Sequence, residues 1–194
     1  MSDLFVDNIK HQSSQGSGTI TIGASGETIN VVGTLQNNGS AVGGVMTPAF
    51  MVYRSSNQSL SSGVITKIQF NAEIFDTDNC YDNSTNYRFT QTTAGKYMFL
   101  VNAFCGGNAG TLRYINLYLR KNGGTSAPNG FGNYTVEDNS NNFNQGGVHI
   151  STVFDMNGTT DYVESYIQCN ATSPFLSYDN NGTTTTFIGY KIIE

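Results

Sequence analysis

The chain has no tryptophan, two histidines, three prolines and three cysteines in 194 residues, and only 12% of it is charged. Each shortage removes a class of protein. His11 lies in the arm and His149 at a strand start, where a surface or interface residue fits better than a catalytic base, and no G-x-S-x-G elbow accompanies them. Cys80, Cys105 and Cys169 are odd in number and widely spaced, which fits neither a disulfide framework nor a zinc pattern; three buried thiols are expected instead. A net charge of −5 with no basic stripe speaks against nucleic-acid binding. No run of about 18 apolar residues is present, so no membrane insertion is expected. The start, MSDLFVDNIKHQSS, lacks the basic and apolar regions of a signal peptide, and the expectation is a protein made in a cytoplasm.

What is abundant is glycine, asparagine, β-branched residues and aromatics, with Gly 22, Tyr 11 and Phe 12. That mixture predicts an all-β chain, strands from the branched and aromatic residues and turns from Gly and Asn. No helical period of useful length interrupts it. Two parts are expected: a glycine-rich β arm over 1–47 and a strand-rich head over 48–194. In the arm, SGTITIGASGETINVVGTLQNNGSAVGG (17–44) breaks short β-type runs with glycine. One copy cannot bury Ile20, Ile22, Ile29, Val31 and Val32 alone, whereas several chains side by side can.

Along the head, VITKIQFNAEIF alternates, with Val64, Ile68, Phe70, Ala72 and Ile74 predicted to share one face. AGKYMFLVNAF is apolar on both faces: Tyr97, Phe99 and Val101 on one, Met98, Leu100 and Phe104 on the other. YINLYLRKNGG points Ile115, Leu117 and Leu119 inward and ends in an Asn122-Gly123 turn. VHISTVFDMNGT places Ile150, Phe154 and Met156 together. DYVESYIQC turns Val163 and Ile167 inward and Tyr162, Glu164 and Tyr166 outward. Many short strands separated by turn signals predict a sandwich or barrel. Residues 121–147, rich in Gly and Asn, are predicted to be a long loop.

Chemistry-bearing patterns are sparse. GGNAGT (106–111) leads into a β pattern, so it is no phosphate loop. Asp155, Asp161 and Glu164 fit solvated strand and turn positions better than a hydrolase pair. DTDNCYDN brings Asp76, Asp78 and Asp82 together as hard oxygen ligands for calcium, without the Gly and distal Glu of an EF-hand; turn-forming Asx residues are the competing explanation. No other cofactor is expected, and the chain reads as a non-enzyme.

The order of motifs, Phe50, then Phe70-Asn71, Tyr81-Asp82, Phe89, Gly95-x-Tyr97-x-Phe99, Leu119, Asn122-Gly123, Asp161-x-Val163 and Phe187-x-Gly189-Tyr190, resembles the globular head of complement component one, subcomponent q, and its tumour-necrosis-factor-like relatives. The resemblance covers about 48–194 and departs in the Asn-rich loop and the missing collagen-like stalk. It implies a ten-strand jelly-roll sandwich assembled as a homotrimer, with Tyr97, Phe99, Tyr162, Tyr166 and Tyr190 at the trimer interface. The N-terminal stretch Leu4, Phe5, Val6, Asp7, Asn8, Ile9, Lys10, with the glycine-spaced arm, resembles small structural proteins of tailed bacteriophages. That resemblance implies a virion anchor at Leu4, Phe5, Val6 and Ile9, contacts with other virion proteins, and assembly in the host cytoplasm. Phe131, Tyr134 and Phe143 in the long loop are the receptor candidates, toward a host surface glycan or protein. The roles in competition are a fibre or fibre tip, a capsid or neck decoration protein, and a free trimeric lectin-like module.

Overall fold

A computed structural model describes residues 46–108, 110–136, 144–178 and 184–192, and before them residues 26, 32, 33, 36, 37, 40 and 41. The anchor residues Leu4, Phe5, Val6 and Ile9 and the receptor candidate Phe143 lie outside the described residues. The chain divides into two compact units, Met1–Gly43 and Gly44–Glu194. In the first, β1 (Gln36–Asn37) and β2 (Ser40–Ala41) pair antiparallel. The second unit holds the rest.

Its strands are β3 (Ala49–Tyr53), β4 (Gln58–Ser59), β5 (Thr66–Lys67), β6 (Ala72–Asp76), β7 (Tyr81–Asp82) and β8 (Arg88–Thr90). After them come β9 (Gly95–Gly106), β10 (Tyr114–Lys121), β11 (Gly130–Val136), β12 (Gln145–Met156), β13 (Tyr162–Asn170), β14 (Phe175–Leu176) and β15 (Thr186–Lys191). They form a seven-stranded sheet and a six-stranded sheet, both antiparallel. In the seven-stranded sheet β12 pairs with β9 over 12 residues, and β15 and then β14 occupy the other edge of β9. β3 and β4 lie beyond these, and β6 outside β3. In the other sheet the sequence is β11, β10, β13, then β8 and β5 side by side along β13, then β7. Because short strands share a lane, each sheet is five lanes wide. The result is a jelly-roll sandwich, as the motif order implied.

Between the sheets the alternating residues of both inner faces make one aromatic core. Phe50 stacks on Tyr81 and Phe89 at 5.1 Å each and meets the edge of Phe187 at 4.9 Å. Phe99 packs against Phe89 at 5.2 Å and Phe154 at 5.9 Å. Gly189 leaves room for this cluster: a Cβ there would lie 2.8 Å from the Phe99 ring and closer still to Phe50. Ile115, Leu117, Leu119, Val163, Ile167 and Met156 are buried as their alternation predicts, and so are all three cysteines.

The stretch 64–75 departs from its pattern. Ile68 and Phe70 are fully buried, but Val64 and Ile74 are about half exposed, at 51% and 53%. The chain changes sheets here: β5 belongs to the six-stranded sheet and β6 to the seven-stranded one, and the residues between them pair with neither continuously. A β-bulge then lets Met51 and Val52 face Phe75 and Glu73, which leaves Ile74 as the extra residue. Residues 121–147 are likewise no simple loop, since β11 occupies 130–136 and pairs with β10 along seven positions.

Asn122 and Gly123 both have positive φ, 52° and 73°, and form the tight turn the dipeptide predicts. The Asn122 side chain donates to Asp161 Oδ1 (2.6 Å) and accepts from the Tyr162 N–H (2.9 Å). The Asn157 N–H donates to Asp161 Oδ2 (2.9 Å), and Lys121 Nζ lies 3.3 Å from the same oxygen. Burial works to raise the Asp161 pKa, but the Asn122, Asn157 and Lys121 contacts outweigh it and hold the carboxyl below its ordinary value. A carboxylate whose folded pKa is depressed stabilises the fold above its unfolded pKa, about 3.9, and that stabilisation is lost as pH falls below it. Asp161→Asn is therefore expected to cost about 1–3 kcal/mol at pH 7. The gap to the parent should narrow in urea titrations at pH 3; a gap that stays constant with pH would show that the charge contributes nothing.

Candidate apolar interface

The two outer faces of the sandwich differ in kind. On the six-stranded sheet, polar and aromatic side chains satisfy one another. Lys67 Nζ sits 2.5 Å from Glu164 Oε1, and the Tyr166 hydroxyl donates to Glu164 Oε2 at 2.8 Å. Arg120 lies over the Tyr166 and Tyr118 rings at 4.6 and 5.3 Å, and Arg88 over Tyr162 at 4.4 Å. Burial, the bond to Glu164 and the Glu164 charge push the Tyr166 pKa up to about 12. Asn116 and Tyr118 both donate to Gln168 Oε1. Most of the polar groups on this face are thus paired with one another, though Asn116 Oδ1 has no partner among the described residues.

The outer face of the seven-stranded sheet carries apolar rows instead. Register places Phe75, Met51, Ile188 and Leu100 in one row across β6, β3, β15 and β9, and the row ends at Ser151 on β12. The neighbouring row runs Ala49, Tyr190, Met98, Val153. Phe75 is 44% exposed and Val153 43%. Tyr53, Thr186, Asn102 and His149 make a third, more polar row. The apolar rows owe their existence to β9 being apolar on both faces, which the sequence makes plain, and to its flanking by β15. Contiguous apolar surface of this kind is the type found at association sites.

The five residues that the resemblance places at a trimer interface fall in three locations. Tyr97 and Phe99 are fully buried inside the protomer's own core, so no neighbour can reach them. They are on the inward side of β9; the outward side is Met98, Leu100 and Phe104. Tyr190 lies on the apolar face. Tyr162 and Tyr166 lie on the opposite outer face, engaged with Arg88, Arg120 and Glu164. Met51 and Ile188 were missed as face residues, because the sequence does not show which strands flank β9.

Phe131 and Tyr134 stand on β11, the edge strand of the six-stranded sheet, not on a loop. Phe131 packs on Phe154 at 5.7 Å and Tyr134 on Tyr114 at 6.1 Å, which leaves each partly exposed. Two of the three acidic residues of DTDNCYDN, Asp76 and Asp82, are turned to their own loop. Asp76 accepts from the Cys80 and Tyr81 N–H groups at 2.9 and 2.8 Å. Asp82 accepts from the N–H groups of Ser84, Thr85 and Asn86 at 3.0, 2.8 and 3.0 Å, and these bonds hold its pKa well below the usual carboxylate range. Among the described residues no three His, Cys, Asp or Glu side chains gather as a metal set. The Asp76 and Asp82 carboxylates thus brace turns, and the Asp78 carboxylate accepts from the Thr77 hydroxyl at 3.2 Å.

Two antiparallel sheets packed face to face, one with an apolar outer face, define a jelly-roll sandwich. Solved structures share this jelly-roll fold. Murine APRIL at pH 5.0 and at pH 8.0 is similar with a TM-score of 0.52 in each case, at 12% identity over 74% of this chain and 98% of that one. No protein-family model matches the chain, and no curated protein does.

Proposed function

We propose that this chain is a non-enzymatic, homotrimeric virion structural protein of a tailed phage. In this reading its N-terminal arm attaches to other virion proteins and its jelly-roll head is displayed for host contact. The observation that carries self-association is the apolar outer face built on Met98, Leu100, Ile188 and Met51. The resemblance to the complement and tumour-necrosis-factor-like heads supports three copies, arranged so that each covers another's apolar rows. The virion role is supported by the resemblance of residues 4–10 and of the glycine-spaced arm to phage structural proteins.

Two measurements test it. Light scattering on the purified chain should give about 63 kDa, three times its 21.0 kDa; a mass near 21.0 kDa at micromolar concentration rejects the trimer. Gold-labelled antibody on intact particles should mark tail or fibre tips. Label spread over the capsid would replace host contact with decoration, and no label at all would remove the virion role.

A further inference from the structure

We infer that the head carries a binding pocket for a neutral, hydroxyl-rich ligand of the size of a sugar unit, at one end of the sandwich. This deepens the reading of the head as a displayed binding module and rests on it for its biological meaning, though not for its chemistry. A cavity of about 620 Å³ opens between the loop after β6, the loop from β8 to β9, the start of β3 and the β12–β13 turn. That lies within the range of small-molecule sites, roughly 300–1,000 Å³.

The lining sets the ligand class. Four consecutive residues, Thr90-Gln91-Thr92-Thr93, form one wall, with Thr47 and Thr159 adding hydroxyls from other segments. Asp78 is the one charged residue in the lining and no Lys or Arg joins it, so phosphates, sulfates and acidic sugars are repelled. There is no aromatic or large aliphatic wall for a hydrophobic ligand. One carboxylate among hydroxyls and carboxamides is too few hard ligands to hold a metal. What suits such a wall is a molecule with several adjacent hydroxyl groups, each able to donate and accept.

A second observation points the same way. Gln91 is only 5% exposed, and among the described residues neither its amide nitrogen nor its amide oxygen has a hydrogen-bond partner. Buried polar groups are nearly always paired, because an orphan loses its hydration without recompense. Here the orphan carboxamide belongs to a residue of the pocket wall, and it is the donor and acceptor that a ligand there would satisfy. The wall itself is held in place by other bonds: the Thr90 N–H donates to the Cys80 carbonyl at 2.7 Å, and the Tyr97 hydroxyl to the Thr93 carbonyl at 2.8 Å.

The test is saturation-transfer NMR on the full chain with glucose, galactose and N-acetylglucosamine, and with glucuronate as the charged counterpart. The parent should bind at least one neutral sugar, with glucuronate at least tenfold weaker. Gln91→Met, which keeps the volume and removes both polar atoms, should weaken sugar binding at least tenfold while leaving the melting temperature equal or higher. Asp78→Asn gives a second reading should Gln91→Met fail to fold; it should relax the discrimination against glucuronate. No binding of any neutral sugar, or unchanged binding in Gln91→Met, overturns the pocket. A trimeric, particle-bound protein without sugar affinity would sink this site and leave the proposed function standing; a sugar-binding monomer would do the reverse.

Discussion

Phe50→Ala is expected to cost about 3–5 kcal/mol, enough to unfold much of a marginally stable domain. Phe50 is the hub of the core. Its ring touches Tyr81, Phe89, Phe99 and Phe187, which come from β7, β8, β9 and β15 and thus from both sheets. Truncation leaves a cavity whose walls are held by two hydrogen-bonded sheets and cannot close over it. Gly189→Ala is expected to cost about 1–3 kcal/mol for the opposite reason, overpacking, because its new methyl group would press on Phe50 and Phe99. The two changes meet at one spot, so they should not add. In a double-mutant cycle the pair should be less destabilised than the sum of the singles, since the Gly189 methyl enters space that Phe50 has left. Strict additivity in urea titrations would mean that Gly189 serves the backbone and not the aromatic cluster.

That cluster explains why the fold was readable. Phe50, Tyr97, Phe99, Phe187 and Gly189 are spaced at two residues within their strands, and a period of two states an inward face whatever the strand pairs with. The same spacing states nothing about sheet order. Tyr97 and Phe99 could be assigned to one face of β9, but whether that face met the core or a neighbour depended on which side the second sheet lay. The 64–75 stretch misleads for a related reason: alternation continues across a chain segment that leaves one sheet and enters the other. Phe131 and Tyr134 read as loop because Gly and Asn dominate around them, while tertiary pairing with β10 overrides that local preference. The Asp76 and Asp82 carboxylates face backbone N–H groups that a sequence does not locate. Gln91 gives no signal at all, since a buried unpaired carboxamide looks in sequence like any surface glutamine.

The apolar rows make the second large prediction. Leu100→Asp should convert the assembled protein to a 21.0 kDa monomer while the protomer stays folded. Leu100 points out of the sandwich, so in the isolated protomer the new carboxylate reaches water and the aromatic core beneath is untouched. In an assembly that covers the Phe75–Met51–Ile188–Leu100 row, each copy would bury one unpaired charge. Such a charge costs about 3–5 kcal/mol, and three copies incur it together. Tyr162→Glu is the matching control. It places the same kind of charge on the opposite outer face, beside Arg88, where it finds a partner and no covering subunit is expected. Light scattering and far-ultraviolet circular dichroism on both variants separate the alternatives. Loss of assembly in Leu100→Asp alone assigns the interface to the seven-stranded sheet. Loss in Tyr162→Glu alone would move it to the tyrosine-arginine face, and would mean that the apolar rows are covered by something other than a second copy of this chain.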